Sequence, residues 1–297
     1  MESFTLPSFA KINLMLRVLG KCSDGFHGLF TVFQTVSLHD ELTFSDGDRL
    51  DLTCNDPRVP TGGHNLIVRA ARLLAARSGV RCGAAVHLDK RIPSPGGLGG
   101  GSSNAAVALI GLSRLWDLNV PFEENVSMAE ELGSDVPFFL YGGTAIGTGR
   151  GTEIEQTDDV EGKYLIIVTP DVRVSTREAF DLLKAPSLTM KDVESILIVC
   201  RFEALRLDLG RSELFNDIER VAFAAYPEIE RVKSTLLEIG ALNAMMSGSG
   251  ASVFAVFDKE ETRQAALNAL DDEVNWRKFA VAAVSRAEYR ERLGLAD

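Results

Sequence analysis

The chain has 297 residues, with 31 Lys plus Arg against 42 Asp plus Glu and a formal net charge of −11. That length supports a large core and, most simply, two domains. The acidity argues against non-specific nucleic-acid binding, so an anionic ligand would depend on locally placed Lys, Arg and backbone N–H groups.

The first half opens in strands. In KINLMLRV (11–18), Lys11, Asn13, Met15 and Arg17 share one face by the two-residue period, and Ile12, Leu14, Leu16 and Val18 share the other. After the breaker-rich GKCSDGFHG (20–28), strands are expected at TVFQTVSL (31–38), ELTF (41–44) and LDLTC (50–54), with a turn at SDGDR (45–49). Asn65 is positioned to cap a helix over 66–79. A strand at 84–90 leads into RIPSPGGLGGGSSNAAVA (91–108), and helices follow over about 103–116 and 124–132.

The polar stretch TEIEQTDDVEGK (152–163) is the expected domain boundary, giving units 1–158 and 159–297. Beyond it come a strand at 164–170, helices at STREAFDLL (175–183), LFNDIERVAFAAY (214–226) and PEIERVKSTLLEIG (227–240), and a strand at ASVFAVF (251–257). The 271–297 tail reads either as a terminal strand and helix or as an assembly surface. No apolar run reaches the ~18–20 residues of a membrane span, and the opening MESFTLPSFAKINL lacks the apolar core of a signal peptide. Cysteines 22, 54, 82 and 200 show no CxxC or His spacing and read as free, partly buried thiols in a reducing cytosol.

Residues 96–101 hold glycine at every position but Leu98. Glycine costs roughly 1 kcal/mol each against alanine in regular structure, so something must approach that backbone closely. A helix start leaves N–H groups unpaired and partly positive, and glycines let the preceding backbone wrap the same anion. Ser102 and Ser103 can cap the helix, donate to phosphate or coordinate a metal. No Lys follows the glycines as a Walker A loop requires, and the letters fit a dinucleotide fingerprint poorly after ninety residues that read as hairpins. A nucleotide loop of another kind remains. A second turn, SGSG (247–250), reads as a further backbone patch beside the same ligand.

Phosphoryl transfer needs a donor cradle, charge neutralisation and an aligned or deprotonated acceptor. Asp135, just past Gly133 and before the apolar VPFFL, is the candidate base, and Lys11 the candidate cation. Alone, each has a plainer reading, as a turn aspartate and as a solvated strand lysine. His27 can donate and accept toward the polar edge of a base, and Phe26 can stack on it.

The segments PSFAKINLML (7–16), PSPGGLGGGSSNAAVAL (93–109) and MMSGSGASVFAVF (245–257) resemble the GHMP kinase superfamily, named for its galactokinase, homoserine, mevalonate and phosphomevalonate members. SDGFHGLFTVFQTVSLHD (23–40), LGSDVPFFLYGGTAIGTGRG (132–151) and LFNDIE (214–219) narrow the likeness to its branch acting on a cytidine diphosphate derivative of methylerythritol.

The resemblance implies an α+β, two-domain fold: an N-terminal domain like domain 2 of ribosomal protein S5, a ferredoxin-like C-terminal domain, and an active site in the cleft between them. It implies ATP as donor and Mg²⁺ as its ion, with Lys11 and Asp135 catalytic. ATP is expected on Pro95, Gly96, Gly97, Leu98, Gly99, Gly100, Gly101, Ser102, Ser103 and Asn65, and the metal on Ser103. The acceptor is expected on Asn13, Phe26, His27, Thr176 and Phe180, with its cytosine between two aromatic rings and its 2-hydroxyl phosphorylated.

Phe26 stands where tyrosine is usual, Pro95 where glycine is usual, and Asn104 where aspartate is commoner. Proline fixes φ and restricts Ser94, so a stiffer loop is expected. The implied setting is non-mevalonate isoprenoid precursor synthesis in a bacterial cytoplasm, by a monomer or weak homodimer with no membrane or nucleic-acid partner. The competing readings are another small-molecule kinase of the superfamily and a nucleotide-binding regulatory protein without transfer activity.

Overall fold

The computed structural model describes residues 3–21, 27–81, 83–183 and 190–295. Strands β1 (Phe4–Lys21) and β2 (His27–Ser45) pair antiparallel along most of their length. The predicted alternation along β1 holds only as far as Asn13. An irregularity between Asn13 and Met15 inserts Leu14 as an extra residue, so Met15 joins Ile12 and Leu14 in one apolar cluster rather than sharing the face of Lys11. β2 is a single strand where two were expected, because a second register shift, opposite Phe9 and Ala10, absorbs the apparent break.

The first half continues with β3 (Leu50–Cys54), α1 (Leu66–Ser78), β4 (Ala84–Asp89), α2 (Gly100–Leu115), α3 (Phe122–Leu132), α4 (Phe138–Tyr141), β5 (Thr144–Thr148) and β6 (Glu153–Gln156). β2 serves two neighbours on the side away from β1: residues 41–45 pair with β4, and residues 31–34 with β5. The polar 152–163 stretch holds β6 and then Asp159, whose carboxylate accepts from the backbone N–H groups of Thr144 and Arg286.

The second half contains β7 (Leu165–Pro170), α5 (Thr176–Leu183), α6 (Met190–Ala204), β8 (Phe215–Asn216), α7 (Glu219–Ala225), α8 (Pro227–Glu238), β9 (Asn243–Met246), β10 (Val253–Val256), α9 (Glu260–Ala269), β11 (Trp276–Val281) and α10 (Arg286–Leu293). Its antiparallel sheet has the order β11-β7-β10-β9, the split βαβ arrangement of a ferredoxin-like unit. The helix expected from residue 214 starts only at Glu219. Phe215 and Asn216 instead pair parallel with Met15 and Leu16, adding β8 to the edge of the first sheet.

Four layers result, each held by burial of apolar faces. Helices α1, α2, α3 and α10 cover one face of the first sheet around Phe9, Phe44, Leu74 and Leu109. The two sheets meet through Ile12, Leu14, Val32, Ile167, Met245 and Phe254. Helices α5, α7, α8 and α9 cover the far face of the second sheet around Val168, Val232 and Val253. The tail takes its strand-and-helix form, and α10 returns to the first half, where fully buried Tyr289 donates to Phe139 O. Among the described residues no helix is long and apolar enough to cross a membrane. Cys54 and Cys200 are free thiols, while Cys22 and Cys82 lie outside the described residues.

Candidate active site

The glycine loop joins β4 to α2, and two of its residues require the left-handed backbone. Gly97 (φ +72°) and Gly99 (φ +69°) leave no room for a side chain: a Cβ on the first would run into Ser247 O, and one on the second would lie 2.8 Å from the Phe139 ring. Gly99 begins α2 without any side-chain cap, which leaves the first-turn N–H groups for a ligand. The SGSG turn packs directly on this loop. Ser247 Oγ donates to Gly97 O at 2.9 Å, and Ser252 N donates to Gly96 O at 3.1 Å. Asn216 of β8 fixes the turn from behind by donating to Met246 O and Gly248 O.

Lys11 is not a solvated strand lysine. Only 3% of it is exposed, its backbone N–H donates to Leu98 O, and its ammonium donates to Asn13 Oδ1 at 2.6 Å and Gly97 O at 2.9 Å. Asp135 Oδ2 stands 3.5 Å from the same nitrogen. Asp135 lies between α3 and α4 with its side chain 36% exposed, so its carboxylate faces both the ammonium and open space. Asn13 completes this corner, its Nδ2 donating to Thr31 Oγ1 at 2.8 Å.

These groups line a cleft of about 980 Å³ that also takes in Gly96–Ser102 of the loop, His27, Thr176 and Phe180. Thr176 Oγ1 and Ser249 Oγ are 2.9 Å apart, and the rings of His27 and Phe180 stack with centroids 5.3 Å apart. Phe26 lies outside the described residues. A smaller cavity of about 480 Å³ shares Leu66, Pro93, Ser94, Pro95 and Gly101 with the cleft. Asn65 lines it while capping α1, its Oδ1 accepting from Ile67 N at 2.8 Å.

Ser103 is placed differently from its neighbour. It is fully buried and its Oγ accepts from Ser8 Oγ at 2.8 Å, so it does not line the cleft; Ser102 does. The difference follows from the 100° step between helical neighbours, which turns one serine to the sheet and the other outward. Among the described residues no cluster of three or more His, Cys, Asp or Glu forms a metal-binding set. Oxygen donors lining the cleft include the carboxylates of Asp135 and Asp181 and the hydroxyls of Thr31, Ser102, Ser134, Thr176 and Ser249.

Cleft residues that the sequence reading passed over include Thr31, Ser134, Arg150, Arg177 and Asp181. Arg150 carried a usable signal, a lone cation inside the glycine turn GTGRG. Thr31 carried none, since nothing in a β-branched strand residue announces that its hydroxyl will hold Asn13. The whole arrangement places a backbone cradle, an ammonium, the carboxylates of Asp135 and Asp181 and a polar-aromatic wall around a single volume.

A family model described as the GHMP kinases N terminal domain matches residues 65–143, and one described as GHMP kinases C terminal matches residues 201–275. The 4-diphosphocytidyl-2-C-methyl-D-erythritol kinase of Syntrophotalea carbinolica is 38% identical over 287 residues, covering 96% of this chain and 100% of the relative. A crystal structure of 4-(cytidine 5'-diphospho)-2C-methyl-D-erythritol kinase superposes with a TM-score of 0.76 at 31% identity, covering 94% of this chain and 99% of that one. Homoserine kinase from Cytophaga hutchinsonii superposes with a TM-score of 0.71 over 96% of both chains, but at 22% identity it speaks for the fold alone.

Proposed function

The chain belongs to the GHMP kinases, in the branch of the 4-diphosphocytidyl-2-C-methyl-D-erythritol kinases, and we propose that Lys11 and Asp135 carry its phosphoryl transfer in the cleft described above. It is an ATP-dependent small-molecule kinase of non-mevalonate isoprenoid precursor biosynthesis. The reaction moves the γ-phosphoryl group of ATP onto the 2-hydroxyl of 4-diphosphocytidyl-2-C-methyl-D-erythritol, giving the 2-phosphate and ADP.

One observation carries the residue assignment: the Lys11 ammonium touches the donor loop through Gly97 O and the acceptor corner through Asn13 and Asp135. The acceptor oxygen attacks the γ-phosphorus as the bond to the β–γ bridging oxygen breaks. Asp135 orients the hydroxyl and takes its proton, and Lys11 offsets the charge spreading over the transferred group. N–H groups of residues 96–102 hold the phosphates, and the smaller cavity by Asn65 and Pro95 receives the nucleoside of ATP. Mg²⁺ supplies charge neutralisation on the phosphates. The hard oxygen donors present suit it, and with two carboxylates, Asp135 and Asp181, lining the cleft rather than a trio, most of its ligands would come from the nucleotide. Ser102, rather than the buried Ser103, would be its serine ligand.

His27 and Phe180 form the acceptor's nucleobase wall, with Phe26 the expected second ring, and Asn13 and Thr176 meet its erythritol or its phosphates. The domain boundary at 158/159, the bacterial cytoplasm and a monomeric or weakly dimeric state belong to the same proposal.

The test is an ADP-release assay with Mg²⁺-ATP and, in turn, the cytidylyl-methylerythritol, homoserine, mevalonate and galactose. Turnover is expected on the first alone. Lys11→Met and Asp135→Asn should each lower kcat about 10²–10⁴-fold with small changes in KM. Turnover on another acceptor would overturn the nucleobase wall, and unchanged kcat in both variants would overturn the catalytic pair.

A further inference from the structure

The glycine loop hangs between two stems, the exit of β4 at residues 90–92 and the first turns of α2, and both stems are tied to one side chain. Asp40 of β2 is fully buried. Its Oδ1 accepts from Arg91 N and Ile92 N, both at 2.7 Å. Its Oδ2 accepts from Lys90 Nζ at 2.7 Å and from Asn104 Nδ2 at 2.9 Å. One carboxylate therefore spans the gap that the loop bridges.

The surrounding groups extend the tie. Lys90, with a side chain only 6% exposed, also donates to Ile92 O at 2.6 Å and lies against Gly100, where an added Cβ would meet its nitrogen at 3.0 Å. Burial pushes its ammonium down, and the charge of Asp40 pulls it back up. The second hydrogen of Asn104 Nδ2 goes to Ser8 Oγ at 2.9 Å, and Ser8 donates to Ser103. Ser8 stands on β1 three residues before Lys11. An amide at position 104 can donate to both Asp40 and Ser8, which a carboxylate there could not do, and this gives Asn104 a physical reason.

A buried ion pair is weak as a source of stability, because desolvation consumes most of its Coulombic gain. Four hydrogen bonds to both stems of one functional loop argue instead for geometry. We infer that Asp40 is the positioning residue of the ATP-binding loop: it sets the separation of the loop's stems, so that the N–H groups of residues 96–102 converge on the phosphates. Asp40 touches neither substrate and acts through the loop, with Lys90 as its counter-charge.

The inference rests on the kinase reading for its activity arm but not for its binding arm. The full-length chain is compared with Asp40→Asn, Asp40→Asn/Lys90→Met and Asn104→Ala by calorimetric titration of Mg²⁺-ATP, by KM for both substrates and by thermal unfolding. Asp40→Asn keeps the shape but turns one oxygen into a donor facing Lys90 and Asn104. We expect its Kd and KM for ATP to rise at least tenfold, with the acceptor KM within twofold. The double variant removes the unpaired charge, so it should recover Tm but not ATP affinity. Asn104→Ala, which cuts the helix-side tie together with the bond to Ser8, should weaken ATP several-fold with little loss of Tm.

ATP affinity within twofold of wild type in Asp40→Asn overturns the inference. Recovery of ATP affinity together with Tm in the double variant does so too, since the pair would then be structural only. Should Asp40→Asn fail to fold, the double variant and Asn104→Ala decide by the same ATP readout. A wild-type chain that binds ATP but leaves the cytidylyl acceptor untouched would sink the acceptor assignment while the binding series still judges Asp40.

Discussion

Lys11 shows how far a residue's chemistry depends on its backbone. A lysine on a strand is ordinarily solvated, yet this one is buried because Gly97 O and Asn13 Oδ1 replace the water it gives up. The two-residue period puts Asn13 beside Lys11, but nothing in the spacing of KINL specifies Gly97, eighty-six residues away; the resemblance to a known family singled out Lys11, and the geometry then supplied a reason. Ser103 is the opposite lesson. The letters SS suggest two equivalent hydroxyls, and only the helical phase separates Ser102 in the cleft from Ser103 beneath it. The acceptor wall yields a prediction at this scale. Phe180→Ala removes a ring whose stacking on a base is worth about 1–3 kcal/mol, so the acceptor KM should rise roughly 10–100-fold while the ATP KM stays within twofold. Steady-state kinetics with each substrate varied checks it, and equal rises in both KM values would count against a base-stacking role.

Elements with strong periodicity were legible, and those made by tertiary pairing were not. The helix from Leu66 to Ser78 follows its cap Asn65 and its apolar stripe, and β7 follows its continuous apolar run. α6 was missed because its apolar residues are spread around the helix, with Ile198, Val199 and Phe202 outward and Cys200 and Ala204 inward. β8 escaped because two residues carry no period, and only their pairing with Met15 and Leu16 makes them a strand. α10 carries its weight through Tyr289, whose hydroxyl donates to Phe139 O beside the loop that holds Asp135. Tyr289→Phe leaves that carbonyl without its partner and should cost about 1–3 kcal/mol, read by chemical denaturation.

Burial also raises the Tyr289 phenol above the ordinary value of about 10. The sign follows: the unfolded chain ionises first, so this stability is whole below pH ~10 and drains away as pH rises through the folded value. The fall in Tm from pH 9 to 11 should therefore be shallower in Tyr289→Phe than in wild type, and parallel curves would refute the assignment.

At the scale of the whole molecule, the cleft exists because the two sheets share a core. Ile12 and Val32 from the first half pack with Ile167, Met245 and Phe254 from the second, and α10 crosses back to pack on Phe9. The first half contributes Lys11, the glycine loop and Asp135, and the second contributes Thr176, Phe180 and the SGSG turn. The polar stretch at 152–163 marked the expected domain boundary, and a shift in polarity carries no record of what the flanking faces bury. Two sheets with one shared interior should melt together, so calorimetry is expected to show a single transition with matching van't Hoff and calorimetric enthalpies. Two resolved transitions would mean the halves hold separately.

The irregularity at Leu14 sets the phase of everything after it on β1. Before it, odd-numbered side chains (Lys11, Asn13) look into the cleft; after it, an even-numbered one, Leu16, does, while Met15 turns to the core. Chain length at this point is therefore information in its own right. A substitution along the strand alters one contact, whereas pairing its full length without the extra residue would send Met15 to the cleft, Leu16 to the core and each later side chain to the wrong side of the sheet. Among relatives, a chain one residue shorter here should lose the bulge yet keep its later side chains on their present faces.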